Sequence, residues 1–377
     1  MHYLDHAATT PLRPEARRAM EPFLAGEFGN PSGLHAVSRR AKNALEDARE
    51  RAAALLGAAH PLEIVFTGGG TESDNLGVAG PALAGGGRSG VVTTAVEHEA
   101  VLETARFLGR LGRSVGVVGV DGEGRVDPER VAAAVGPETA VVSVMAANNE
   151  TGAIQPVPAV AAVVRERDPR VVVHTDAVQA FVSEPVGVAS LGADLITLAS
   201  HKAGGPKGVG LLWARSGIVL EPVLHGGGQE GGRRSGTHDV AGIVGMVAAL
   251  EAAAAGRERF RGEVSEARRR FESRLGAIGA IPTVATGRLV QHCHVRIPGV
   301  RAESLLVRLD RAGVAASAGS ACQSGAVATS HVLAAMGMAP AEAAECVRFT
   351  FGWTTTIPEA EAAALLVTAE VEALRCR

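Results

Sequence analysis

The stretch "VVVHTDAVQ" (171–179), followed closely by "LITLASHKAGGPKG" (195–208), decides how this chain folds. Each begins as a short apolar run and ends in charged or polar residues: Asp176 in the first, Ser200, His201 and Lys202 in the second. Working outward, runs of the same kind recur at "EIVF" (63–66), "VVTT" (91–94), "VGVVGV" (115–120), "AVVSVM" (140–145) and "VGLLWA" (209–214). They are mostly apolar on both faces and are separated by helix-length segments. That pattern predicts a largely parallel sheet with helices on both sides, an α/β architecture. In such sheets ligands bind beyond the C-terminal ends of the strands, where Asp176 and Lys202 fall.

Flanking segments agree. "SRRAKNALEDARERAAALLG" (38–57) puts Ala41, Ala44, Leu45, Ala48, Ala52, Leu55 and Leu56 on one stripe, which predicts a helix with Ser38 as its N-cap. After about residue 225 the composition changes. A Gly-rich basic loop, "HGGGQEGGRRSGT" (225–237), precedes two helical stretches, the second strongly charged. The last hundred residues mix strands (292–297, 313–316, 346–351) with helices (302–312, 359–375), which predicts a second, smaller α+β domain.

The chain's 377 residues suit two domains better than one core. Hydrophobic residues make up 46% but aromatics only 3%, so the cores rest on Ala, Val and Leu. A formal net charge of −3 gives no electrostatic footprint for nucleic acid or a membrane surface. No long apolar helix or signal-type segment follows the polar start, so the expectation is a cytoplasmic protein. The four cysteines, Cys293, Cys322, Cys346 and Cys376, form no CxxC pair, and reduced thiols are expected. In "QHCHV" (291–295), strand alternation sets His292 and His294 on one face and Cys293 on the other, read as structure rather than a metal site.

Three motifs carry chemistry. In "TGGGTES" (67–73), a strand, a glycine turn and a helix start can aim backbone N–H groups at an anion. The spacing fits neither a Walker A loop nor the dinucleotide fingerprint, and a plain tight turn would read the same. Asp176, at a strand end, needs a partner to be buried, such as a protonated ring nitrogen, unless it merely caps a helix. Lys202, beside glycines at another strand end, can act as an amine nucleophile or base once desolvated; Lys207 is a similar surface candidate. Together, an anion cradle, a strand-end Asp and a strand-end Lys meet the needs of pyridoxal 5′-phosphate.

With these residues in place the chain resembles the cysteine desulfurases of the NifS/IscS type, within the class V aminotransferases. The resemblance runs through "YLDHAATTP" (3–11), "FGNPSGLH" (28–35), "TGGGTESDNL" (67–76), "EHEAV" (97–101), "NNETG" (148–152), "HTDAVQ" (174–179), "SHKAGGPKG" (200–208), "HGGGQE" (225–230), "RSGT" (234–237), "AGSAC" (318–322) and "RFTFG" (348–352). It implies the type I PLP-dependent transferase fold: a large domain (16–255) with a mostly parallel seven-stranded sheet, and a smaller α+β domain (1–15 and 256–377) carrying the nucleophile loop. It also implies an obligate homodimer.

The resemblance assigns roles as well. Lys202 would be the Schiff-base lysine and the base for the substrate's α-proton. Asp176 would pair with the pyridine nitrogen, and Gln179 and Asn149 would touch the cofactor's 3′-oxygen or the substrate. His98 would lie over the ring. Gly70, Thr71, Ser200 and His201 would hold the phosphate, with Thr237 reaching the phosphate of the other subunit. Arg348, joined by Asn30, would clamp the substrate carboxylate, a task suited to a bidentate donor.

Cys322, set in the side-chain-poor run "ASAGSACQSG" (316–325), matches the family's nucleophile. It would take sulfur from L-cysteine as a persulfide, leave L-alanine, and pass the sulfur to an acceptor such as an iron–sulfur scaffold or a tRNA-thiolation enzyme. The loop resembles the long, mobile kind. Two positions depart from common family patterns: Gln323 stands where many relatives have a small hydroxyl residue, and Gly69–Gly70 where other small-residue patterns are common. Other readings of the same residues are a selenocysteine lyase or another type I PLP enzyme, and a non-enzymatic sulfur-carrying scaffold. An aminotransferase would need no thiol at Cys322, and a scaffold leaves Lys202 and Asp176 without a task.

Overall fold

The computed structural model describes residues 1–319 and 330–376. The expectations for Cys322, Gln323 and the loop around them fall on residues 320–329, outside the described residues.

All seven apolar runs form strands of one sheet: β1 (Ile64–Thr67), β2 (Gly90–Thr94), β3 (Val115–Val118), β4 (Thr139–Ser143), β5 (Val172–Asp176), β6 (Leu195–Ala199) and β7 (Gly210–Ala214). Their spatial order is β1-β7-β6-β5-β4-β2-β3. Only β7 runs against its neighbours; the other pairings are parallel. Most positions in β1, β2, β4, β6 and β7 are buried on both faces, as a sheet covered by helices demands. The edge strand β3 is the exception, with Val115 and Val117 exposed.

The helix predicted from residue 38 runs Ala36–Leu56 and starts earlier than expected. His35, not Ser38, is its cap: Nδ1 accepts from the Ser38 N–H at 3.3 Å, while Ser38 itself is buried in the first turn. Ala41, Leu45, Ala48, Ala52 and Leu56 sit in the core as the stripe requires. That stripe also buries Arg49, whose guanidinium is paired with Glu230 from the Gly-rich loop.

A second core surrounds the antiparallel strands β8 (His292–Arg296) and β9 (Cys346–Thr350). The helices Arg257–Ala277 and Ile357–Arg375 pack there, with Phe271 against Phe349 and Phe351 at ring-centroid distances of 4.9 and 5.4 Å. The charged helix Arg257–Ala277 is thus half-sunk, through Val264, Ala267, Phe271 and Leu275. Leu4 joins this core, and His2–Tyr3 pairs in parallel with Val314–Ala315, so the chain start is tied to the C-terminal part. Cys293 faces this core opposite Phe349; His292 and His294 stand opposite Thr350 and Arg348. Burial pushes the Cys293 thiol well up and that of Cys346 to about 12, so neither is a ready thiolate. Among the described residues no helix by itself is long and apolar enough to cross a membrane, and no group of three or more His, Cys, Asp or Glu gathers as a metal-binding set.

Candidate active site

The parallel strands deliver their C-terminal ends to one cavity of about 380 Å³. Gly70, Thr71, His98, Asn149, Asp176, Gln179, His201, Lys202 and Arg348 all line it, though they are spread over almost 280 positions of the chain. Each arrives for a local reason. Asp176 is the last residue of β5 and accepts from the Val178 N–H at 2.9 Å, which turns the chain away from the sheet. Lys202 closes the short turn Ser200–Lys202 directly after β6. His98 caps the helix Glu99–Arg110, its Nδ1 accepting from the Ala100 N–H at 3.1 Å. In a neutral ring that leaves the proton on Nε2.

The glycine turn after β1 leads directly from strand to helix. Gly69 takes φ +142°, which a side chain rarely adopts, and the helix Gly70–Leu83 starts there. Its first-turn N–H groups have no partners within the helix, the usual basis of an anion cradle. A Cβ larger than hydrogen at Gly70 would lie 3.2 Å from the Ala199 Cβ, so the helix start seats tightly on β6.

The chain start covers the lysine. Lys202 Nζ donates to the carbonyls of Ala7 and of Ala8, the latter at 2.7 Å, and Gln179 Nε2 donates to Ala7 O at 3.0 Å. Arg348, on β9, is 4% exposed. It donates through Nη1 to Asn149 O at 2.8 Å and pairs through Nη2 with Asp5 Oδ1 at 2.9 Å. Asp5 therefore orients the proposed carboxylate clamp, a role the sequence reading did not assign, although Asp5 stands inside the quoted "YLDHAATTP".

Three carboxyl groups crowd this end of the sheet: Asp176, Asp74 and Glu97. Burial pushes all three upward. For Asp176 the Val178 N–H and Lys202 are among the contacts that oppose this upward shift without reversing it. Glu97 is pushed to about 8; its Oε1 accepts from the Thr94 hydroxyl at 2.7 Å and the Met145 N–H at 3.0 Å. Asp74 is raised by burial and by Asp176 beside it. Behind them His174 bridges Ser143 (2.8 Å) and Thr197 (3.0 Å), and burial holds it neutral, near 3. Burial, with Lys202 and Lys207 nearby, lowers His201 to about 4.

Pyridoxal 5′-phosphate fits this donor set. A helix N-terminus and the Ser200 hydroxyl, buried and unpaired among the described residues, suit a phosphate. A buried carboxyl group at the cavity wall suits a protonated ring nitrogen as partner, and a lysine in the same cavity suits the aldehyde carbon. Three expected residues do not line this cavity; Ser200 is buried just after β6, between Ala199 and His201, which do. Thr237 lines a separate cavity of about 50 Å³ with Gly68 and Arg234. Asn30 is exposed, its Oδ1 accepting from the Ser32 N–H at 3.0 Å.

Comparison with known proteins gives concordant matches. The family model described as aminotransferase class-V matches residues 2–362. The chain is 42% identical to the cysteine desulfurase IscS of Dictyoglomus turgidum, covering 94% of this chain and 90% of that protein. It is 40% identical to the cysteine desulfurase NifS of Azotobacter vinelandii, over 95% and 89% respectively. A solved structure titled as a NifS-like protein superposes with a TM-score of 0.92 at 34% identity, covering 100% of this chain and 99% of the other.

Proposed function

Since this chain belongs to the class-V aminotransferase family, we propose that it is a cysteine desulfurase that takes sulfur from L-cysteine with pyridoxal 5′-phosphate as cofactor. The observation that carries the reading is the convergence of Lys202, Asp176, His98 and Arg348 on one cavity large enough for a cofactor with a small amino acid.

When bound, the cofactor supplies an electron sink that acidifies the substrate's α-proton and stabilises the charge left as the Cβ–Sγ bond breaks. The chain's residues do the rest. The helix start at Gly70–Thr71, with Ser200 and His201, would hold the cofactor's phosphate. Asp176 would pair with its ring nitrogen, a partner that offsets the burial of the carboxyl group. Lys202 would be the attachment point and would also serve as the base for the α-proton. Arg348, held by Asp5 and by Asn149 O, receives the substrate carboxylate. His98 exchanges a proton through Nε2. The Cys322 thiolate attacks the substrate Sγ: an S–S bond forms, the Cβ–Sγ bond breaks, and its electron pair stays with carbon. That carbon takes a proton to become the methyl group of alanine, and the sulfur remains on Cys322 as a persulfide.

The enzyme works as a homodimer in the cytoplasm and hands its sulfur to an acceptor protein, an iron–sulfur scaffold or a tRNA-thiolation enzyme. Thr237 lies apart from the cavity of its own chain, which is consistent with service to the partner's phosphate. Exposed Leu24, Phe28 and Leu34 supply apolar surface for a second copy. The test is product stoichiometry. With L-cysteine and dithiothreitol the holoenzyme should release alanine and sulfide in equal amounts, and Lys202→Ala should release neither. Sulfide without alanine would overturn the reading.

A further inference from the structure

Tyr3 is the only tyrosine in the chain and is half-buried, and the proposed mechanism gives it no task. Its backbone belongs with the C-terminal core: His2–Tyr3 pairs with Val314–Ala315, and the Leu4 N–H donates to Ala315 O at 2.9 Å. Its hydroxyl instead reaches the turn that follows. It lies 2.8 Å from Thr9 O and 3.0 Å from Asp5 O, so one phenol proton bridges the two ends of the segment 5–9. Within the same turn the Ala8 N–H donates to Asp5 O at 3.0 Å. Burial, with the Asp5 charge nearby, raises the Tyr3 hydroxyl above its usual value, so it stays a donor at neutral pH.

That turn carries the contacts of two groups the reaction needs. The Asp5 side chain pairs with Arg348 Nη2 at 2.9 Å, and the carbonyls of Ala7 and Ala8 accept from Lys202 Nζ, the latter at 2.7 Å. The Asp5 and Thr9 carbonyls thus meet the phenol, while the Ala7 and Ala8 carbonyls between them meet the lysine. The turn is also bound to its surroundings independently of Tyr3. The Ala7 N–H donates to Thr350 Oγ1 at 2.8 Å and the Thr350 N–H to Leu4 O at 2.7 Å. Thr10 donates to His201 O through its N–H at 3.1 Å and its hydroxyl at 2.7 Å. Removing the phenol hydroxyl therefore leaves the chain start docked and loosens only the closure between Asp5 O and Thr9 O.

We propose that Tyr3 is a positioning residue: by closing the turn from Asp5 to Thr9 it sets Asp5 against Arg348 and the Ala7 and Ala8 carbonyls against the amino group of Lys202. One hydroxyl then holds the carboxylate clamp and the reacting amine to a common frame. This rests on the reading of Arg348 as the clamp and of Lys202 as the reacting lysine. The two carbonyls hold the amino group in place whenever it is not joined to the cofactor. A loosened turn should weaken each contact by the worth of one hydrogen bond, about fivefold. Through Asp5 the loss appears in KM, because Arg348 holds the substrate carboxylate in ground state and transition state alike; through Lys202 it appears in kcat.

The test compares wild type, Tyr3→Phe, Asp5→Ala, the double variant carrying both changes, and Arg348→Lys. In the holoenzymes, Tyr3→Phe should raise KM for L-cysteine about fivefold and lower kcat for alanine release about fivefold, with cofactor content unchanged. In the Asp5→Ala background Tyr3→Phe should leave KM within about twofold and still lower kcat, because its path to Arg348 runs through Asp5. A second readout needs no turnover. The cofactor-free full-length chain is exposed briefly to acetic anhydride, and acetylation of Lys202 is read by peptide mass spectrometry against exposed Lys42. Tyr3→Phe should speed acetylation of Lys202 about fivefold and leave that of Lys42 unchanged. A KM rise as large in the Asp5→Ala background as in wild type, or unchanged acetylation of Lys202, would overturn the proposal. Wild-type KM in Arg348→Lys would instead overturn the clamp reading, and the acetylation result would still decide the role of Tyr3.

Discussion

Glu97→Gln should change how stability depends on pH, and by an amount the structure sets. Glu97 is fully buried beside the cavity, with Oε2 unpaired among the described residues, and burial pushes its carboxyl from 4.5 to about 8. In the folded chain it therefore keeps its proton well above the pH at which the unfolded chain releases it. The stability attached to that proton is complete below about 4.5 and is lost as pH rises toward 8. Between pH 6 and pH 8 the loss is about 2 kcal/mol, at 1.36 kcal/mol for each unit until the folded group titrates. Glutamine mimics the protonated form: its oxygen can accept from Thr94 and the Met145 N–H as Glu97 Oε1 does. Urea unfolding of both proteins at the two pH values reads the effect. Wild type should lose about 2 kcal/mol more than Glu97→Gln across that interval, and background titrations shared by both cancel. Equal losses in the two proteins would refute the claim that Glu97 is held protonated.

Two further outcomes follow from the buried charges. Glu230 accepts from both Arg49 nitrogens and from His238 at 2.7 Å and from the Phe66 N–H at 2.9 Å. Glu230→Ala strands a buried guanidinium and should cost about 3–5 kcal/mol in chemical denaturation. The contribution of Glu230, held near 2, should be complete above about pH 4.5 and fade as pH falls toward 2. Arg348→Lys keeps the charge but loses the planar fork that bonds Asn149 O and Asp5 together, so KM for L-cysteine should rise about tenfold with cofactor content unchanged.

Much of this fold was legible because its signal is local. Strands buried on both faces must be apolar throughout, so the seven runs stood out without any knowledge of their order in the sheet. The reversed direction of β7 was not readable, since an antiparallel strand buried on both faces has the same composition as a parallel one. The cavity residues Asp176 and Lys202 were visible because charge at the end of an apolar run is conspicuous. Asp5, Glu150 and Asp74 were harder. Asp5 pairs with Arg348, 343 positions away, and Glu150 accepts from Ser330, 180 positions away. No short-range pattern marks such partners. Ser38 misled as a helix cap because His35, a less common capping residue, fills that place with its ring nitrogen.

The central claim is that Cys322 receives the sulfur of L-cysteine. The most direct measurement mixes holoenzyme with one equivalent of L-cysteine without reductant, quenches with an alkylating reagent, and maps bound sulfur by peptide mass spectrometry while counting alanine. The account predicts about one alanine per added sulfur atom on the Cys322 peptide, and none on those of Cys293, Cys346 or Cys376. Alanine formed with no added sulfur on Cys322, or with sulfur on another cysteine, would contradict it.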